Sequence, residues 1–129
     1  MTNEQRIIAL ASVAEAATGL GLIAVPWLVV SLLLGVEPEG IAIVISRVAG
    51  IALIALAIAC WPDPAAKRSA TPYIALLLYN ALVALVLAKV GLDGDAVGVL
   101  LWPVAILHLL LSALLAWAWP RVKLPKGPI

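Results

Sequence analysis

Five side chains in this sequence combine chemical capability with an apolar setting: Glu15, Arg47, Tyr79, Asn80 and His108. Each stands inside a long run of Ala, Leu, Ile and Val, the surroundings in which an ionic group is hardest to keep. Placing Asp, Lys or Arg at the centre of a membrane helix costs about 2.5–3.5 kcal/mol on insertion scales. A chain that keeps such groups there pairs them, lines a water-filled cavity with them, or holds a ligand on them. A Glu–Arg ion pair and an Asn–His hydrogen bond would brace a helical bundle. The same groups around a cavity would bind a small polar head or a substrate on its path. A third reading gives Glu15 or His108 a proton to carry. Contact between Glu15 and Arg47 would favour the brace, and an open aqueous path to Glu15 would favour transport.

Other chemistry is thin. One His and one Cys fall short of a four-ligand structural zinc site, and His108 alone supplies one axial ligand to a haem. There is no Gly-rich phosphate loop and no catalytic pair of carboxylates on one face, and Ser12, Ser46 and Ser112 lack a nucleophile setting. Asp93 and Asp95 form a short acidic turn, read as solvated. A net charge of +1 gives no basic face for nucleic acid. Cys60 reads as a small apolar filler. A non-catalytic role without a metal is therefore the expectation.

The elements that carry these residues follow from composition. Hydrophobic residues make up 65% of the 129 and charged residues 12%, too little polar surface for a water-facing exterior. A membrane helix needs about 20 consecutive apolar residues. Four segments qualify: 7–34, 41–61, 72–89 and 96–119. The first apolar run is too long for the core of a cleavable leader and reads as a span. Loops rich in Gly, Pro and Asp separate the spans and are short, which makes sequence neighbours antiparallel neighbours. The predicted fold is all-α: a polytopic membrane protein of four antiparallel helices in an up-down-up-down bundle, one domain over 1–129.

Orientation follows from Lys and Arg. Arg6, Lys67, Arg68, Arg121, Lys123 and Lys126 fall on one side, against Lys89 on the other with Glu37, Glu39, Asp93 and Asp95. The positive-inside rule then puts both ends in the cytoplasm. Trp61, Tyr73, Trp117 and Trp119 fall near that same boundary, as an interfacial belt would. The first span would reach about 42 Å at 1.5 Å per residue, against a hydrocarbon core of about 30 Å. Pro26 is expected to kink or tilt it, and Pro103 to do the same in the fourth span.

Depth places three of the polar residues in one layer. At 1.5 Å per residue, Glu15 and Asn80 lie about 12 Å from the cytoplasmic edge and His108 about 16 Å. Arg47 lies deeper, about 21 Å from that edge, where it either reaches toward Glu15 or snorkels to the outer headgroups. Ser12, Glu15 and Gly19 share a helical stripe, as do Arg47 with Gly50 and His108 with Ser112. Small residues beside them (Gly19, Ala49, Gly50, Ala81, Ala84) would let the helices approach closely.

Two resemblances bear on function. Ser46-Arg47-Val48-Ala49-Gly50, with Pro26 late in the first span and Leu32 to Gly35 after it, resembles the small bacterial four-helix membrane proteins similar to DoxX. That resemblance implies four antiparallel helices in a bacterial inner membrane. It also implies a subunit of a larger membrane complex, or a binder of a lipophilic molecule such as a quinone. Ala14-Glu15-Ala16-Ala17-Thr18-Gly19 resembles the first span of the small multidrug resistance transporters. It implies a homodimeric, proton-coupled exporter with Glu15 as the carrier. The leading expectation is a non-catalytic subunit or ligand binder whose cluster is Glu15, Arg47, Tyr79, Asn80 and His108, with the exporter as its alternative.

Overall fold

The computed structural model describes residues 1–63, 65 and 69–119. Among these the chain forms five α-helices joined by short loops: α1 (Asn3–Ala24), α2 (Pro26–Leu34), α3 (Ile41–Ala59), α4 (Thr71–Asp93) and α5 (Leu101–Ala118). Four of them, α1, α3, α4 and α5, are long and apolar enough to cross a bilayer. Lys67, Arg68, Arg121, Lys123 and Lys126, on which most of the charge asymmetry rests, lie outside the described residues.

The first predicted span is two helices. A residue that precedes proline is pushed out of the α region, and Val25 adopts φ −135°, ψ 57°. Its N–H still closes on the Gly21 carbonyl at 2.8 Å, which ends α1. Pro26 then opens α2 at the position where a missing N–H loses nothing. The 22 residues of α1 rise about 33 Å, close to one hydrocarbon thickness. Pro26 thus divides the excess length into a crossing and a separate nine-residue helix. A capping box between Thr2 and Gln5 starts α1.

The fourth span also differs, since α5 begins at Leu101 and not at 96. The residues before it are held as a loop by α2. Gly98 N–H donates to the Leu33 carbonyl at 3.1 Å, and Leu100 N–H to the Leu32 carbonyl at 2.8 Å. Those carbonyls are among the last of α2 and have no partner within it. Gly98 is what permits the approach, because a Cβ there would collide with the Leu32 backbone. Pro103 consequently falls in the first turn of α5, where no intrahelical bond is lost, and it does not kink the helix. The third span runs past 89 to Asp93, with a Lys89–Asp93 ion pair on its last turn and Gly94 in the left-handed region as its cap.

The helices pack as two tight pairs, α1 with α3 and α4 with α5, and α1 joins the pairs by also touching α4 and α5. At the α1–α3 crossing the backbones meet. A Cβ on Gly19 would stand 2.6 Å from the Gly50 carbonyl oxygen, and one on Gly50 the same distance from that of Gly19. Small residues at this crossing exchange side-chain bulk for backbone contact, the usual packing device in lipid. At one end Ile8 of α1, Cys60 after α3, Tyr73 and Leu76 of α4, and Leu111 and Leu115 of α5 form one apolar cluster. The early turns of α1 and α4 therefore lie beside the late turns of α3 and α5. Tyr73 is buried in this cluster and is no belt residue, whereas Trp61 and Trp117 are exposed. The outward face of α3, including Ile45, Val48, Ile51 and Ile58, is also exposed.

Candidate functional site

Midway along α1, α4 and α5 the apolar interior gives way to a polar cluster. Asn80, fully buried on α4, donates from Nδ2 to the Leu76 carbonyl at 2.9 Å. That bond fixes which amide atom faces α5, and Oδ1 lies 2.7 Å from His108 Nδ1. An amide oxygen only accepts, so Nδ1 carries the hydrogen and the lone pair of a neutral imidazole lies on Nε2. Tyr79 stands edge-on to the same ring, with centroids 5.9 Å apart and an interplanar angle of 74°. Ser112, one turn beyond His108, turns its hydroxyl back to the His108 carbonyl at 2.9 Å.

Glu15 enters from α1. It is fully buried, and its Oε1 is 4.0 Å from His108 Nδ1, too far for a hydrogen bond. Tyr79 and Asn80 also lie beside it. Tyr79 and Asn80 approach the carboxyl as longer-range donors, but within hydrogen-bond distance and angle both Glu15 oxygens are buried without a partner. The hydroxyl of Ser12, one turn earlier on α1, is likewise buried and unpartnered. Buried polar atoms are nearly always satisfied, so three orphans on one helix face make this the least self-sufficient region of the described interior.

The structure therefore brings Glu15, Tyr79, Asn80 and His108 together and leaves Arg47 apart. Arg47 is exposed on α3, whose facing contacts to α1 run through Gly50, Leu53 and Ile54. No ion pair joins it to Glu15; among the described residues the acid–base pairs are Lys89 with Asp93 and His108 with Glu15. Although Arg47 and Gly50 share a stripe, only Gly50 is buried at the crossing with α1, and Arg47, one turn earlier, is exposed. Ser12, which the stripe with Glu15 and Gly19 singles out, lies one turn before Glu15 and lines the groove between α1 and α3. No group of three or more His, Cys, Asp and Glu residues able to hold a metal ion occurs among the described residues.

Two cavities open near the site, and neither is lined by Glu15, Tyr79, Asn80 or His108. One, of about 480 Å³, lies at the end of the molecule where α1 begins, between Gln5, Cys60 and Tyr73. The other, of about 550 Å³, is a groove between α1 and α3. Fold and site together define a multi-pass helical membrane protein with an incompletely satisfied polar cluster inside it. No family model matches the chain, and no curated protein or solved structure matches it.

Proposed function

We propose that this protein is a non-catalytic membrane component that binds a small lipophilic molecule at the Glu15–Tyr79–Asn80–His108 cluster. The observation that carries the reading is the pair of buried, partnerless Glu15 oxygens. A buried carboxyl accepts hydrogen bonds when ionised and donates one when protonated, so the missing partner is a polar group, O–H, N–H or C=O, on an otherwise apolar body. The likeness of Ser46 to Gly50 to the DoxX-like bundles supports the same reading, and Gly50 of that motif is the residue that lets α3 meet α1. We place the chain in a bacterial inner membrane, crossing up-down-up-down with both ends in the cytoplasm and acting alone, as a homo-oligomer or within a larger membrane complex. Native mass spectrometry of the protein released gently from its own membrane is the test. A small molecule retained by the wild type and lost from Glu15→Gln and His108→Ala supports the site. A wild type that carries no small molecule removes it.

One observation favours the exporter reading as well. Arg47 does not pair with Glu15, so the basic side chain beside the carboxyl is His108, itself able to gain and lose a proton. A Glu15–His108 couple without a permanent cation is suited to proton exchange with a transported molecule. In vesicles carrying a pH gradient, Glu15→Gln abolishes uptake on this reading. Full transport by that variant ends it.

A further inference from the structure

The groove between α1 and α3 has a construction that the cluster does not explain. The two helices touch backbone to backbone at Gly19 and Gly50, then leave between them a lateral groove of about 550 Å³ toward the end of α3. Its walls include Ala17 and Leu20 of α1 and Ile54 and Ile58 of α3, with Trp61 at its mouth. That volume is within the range of about 300–1,000 Å³ usual for sites that hold small molecules. Leu20, Ile58 and Trp61 are each more than half exposed, so the groove faces the lipid and not the cluster.

Behind this apolar surface, at the back of the groove, lies one hydroxyl residue, Ser12, whose oxygen is fully buried and without a partner. Its state is unusual within this molecule. A hydroxyl in a helix normally satisfies itself on the carbonyl four residues back. Thr18 does so on Ala14, Ser46 on Ala42 and Ser112 on His108, at 2.9, 2.8 and 2.9 Å. Ser12 makes no such bond, nor does it bond Glu15, whose oxygens are also unpartnered. A serine hydroxyl both donates and accepts, so it matches a hydroxyl on an occupant.

We infer that the α1–α3 groove is a lateral binding site, entered from the bilayer, for a lipophilic molecule carrying a hydroxyl that pairs with Ser12. The Gly19–Gly50 contact sets its inner end and Trp61 its headgroup-side mouth. The small side chains of Ala16, Ala17 and Ala57 provide its width. This site stands independently of whether the Glu15 cluster holds a ligand.

Photolabelling of the full chain in vesicles tests it with two probes, a long-chain alcohol bearing a diazirine and the diazirine hydrocarbon of equal length. The alcohol is expected to concentrate on peptides covering 12–20 and 54–61, several-fold above the exposed faces of α4 and α5. Ser12→Ala lowers that labelling by about threefold or more, the effect of one lost hydrogen bond, and leaves hydrocarbon labelling unchanged. Ala17→Trp, at an exposed position that tolerates the bulk, fills the groove and lowers labelling by both probes there. Glu15→Gln leaves the groove pattern intact, which separates this site from the cluster. Equal labelling by both probes with no effect of Ser12→Ala overturns the proposal and makes the groove a resting place for lipid chains. Protection of the groove together with a dimer in native mass spectrometry also overturns it, by assigning the face to a second copy.

Discussion

At the residue scale the decisive fact is that Glu15 and Arg47 do not meet. Both charges are legible in the sequence, as is the shared depth of Glu15, Asn80 and His108, because a 1.5 Å rise converts residue number directly into height. The side of the helix on which Arg47 falls is harder to read. The spacing from Gly50 puts this residue on the stripe of the crossing, yet the backbones meet at Gly50 and Arg47 stays exposed one turn away, which the spacing alone does not reveal. Two predictions follow from the separation. Arg47→Leu leaves folding stability within about 0.5 kcal/mol or raises it, since an exposed charge with no partner in a span is removed; reversible unfolding in mixed micelles measures this. Asn80→Ala, by contrast, strips His108 Nδ1 of its partner and destabilises the fold by about 1–3 kcal/mol in the same assay. Glu15→Met should stabilise by about 1–3 kcal/mol while abolishing ligand retention, because the partnerless carboxyl is kept at the expense of packing.

At the element scale, the apolar runs announced four crossings, and their ends moved wherever a backbone partner was supplied from elsewhere. The start of α5 slid to Leu101 because α2 offered carbonyls to Gly98 and Leu100. Gly98 weakens the local case for a first helical turn at 96 to 100, but only the tertiary bond fixes the loop. The break at Val25 is different: the rule for residues before proline names the place, and the structure shows a full separation instead of a bend. The α1–α3 crossing provides the element-scale prediction. Gly19→Val and Gly50→Val each force a Cβ into a carbonyl oxygen 2.6 Å away and cost about 1–3 kcal/mol. Combining them should cost less than the sum, because the first wedge already separates the helices. A double-mutant cycle on unfolding free energies checks the coupling.

At the scale of the whole molecule, α1 is the axis: it touches every other helix, whereas α3 rests chiefly on α1 and α2. The picture of four spans contributing equally to one interior is replaced by three spans around the cluster and a fourth alongside. The sequence hid this because α3 is as apolar overall as its neighbours, so composition alone could not rank it. The proposed orientation is checked on single-cysteine variants in which Cys60 is changed to Ala. A membrane-impermeant maleimide applied to intact cells should modify Asp95→Cys and spare Ser69→Cys, and the reverse pattern would invert the protein.

The central place of α1 carries a consequence for biogenesis. Glu15 leaves the ribosome long before Tyr79, Asn80 and His108 are made, yet among the described residues those are the polar side chains that the finished fold sets beside it. The first helical pair therefore reaches the bilayer with an unsheltered carboxyl. A translocon that released α1 immediately would deliver it to lipid in its least comfortable form. Delayed lateral release, with α1 waiting at the insertion machinery until α4 and α5 arrive, is the route this arrangement selects. A ribosome-stalled nascent chain ending before α4 should accordingly remain cross-linked to the translocon, and its Glu15→Leu counterpart should escape.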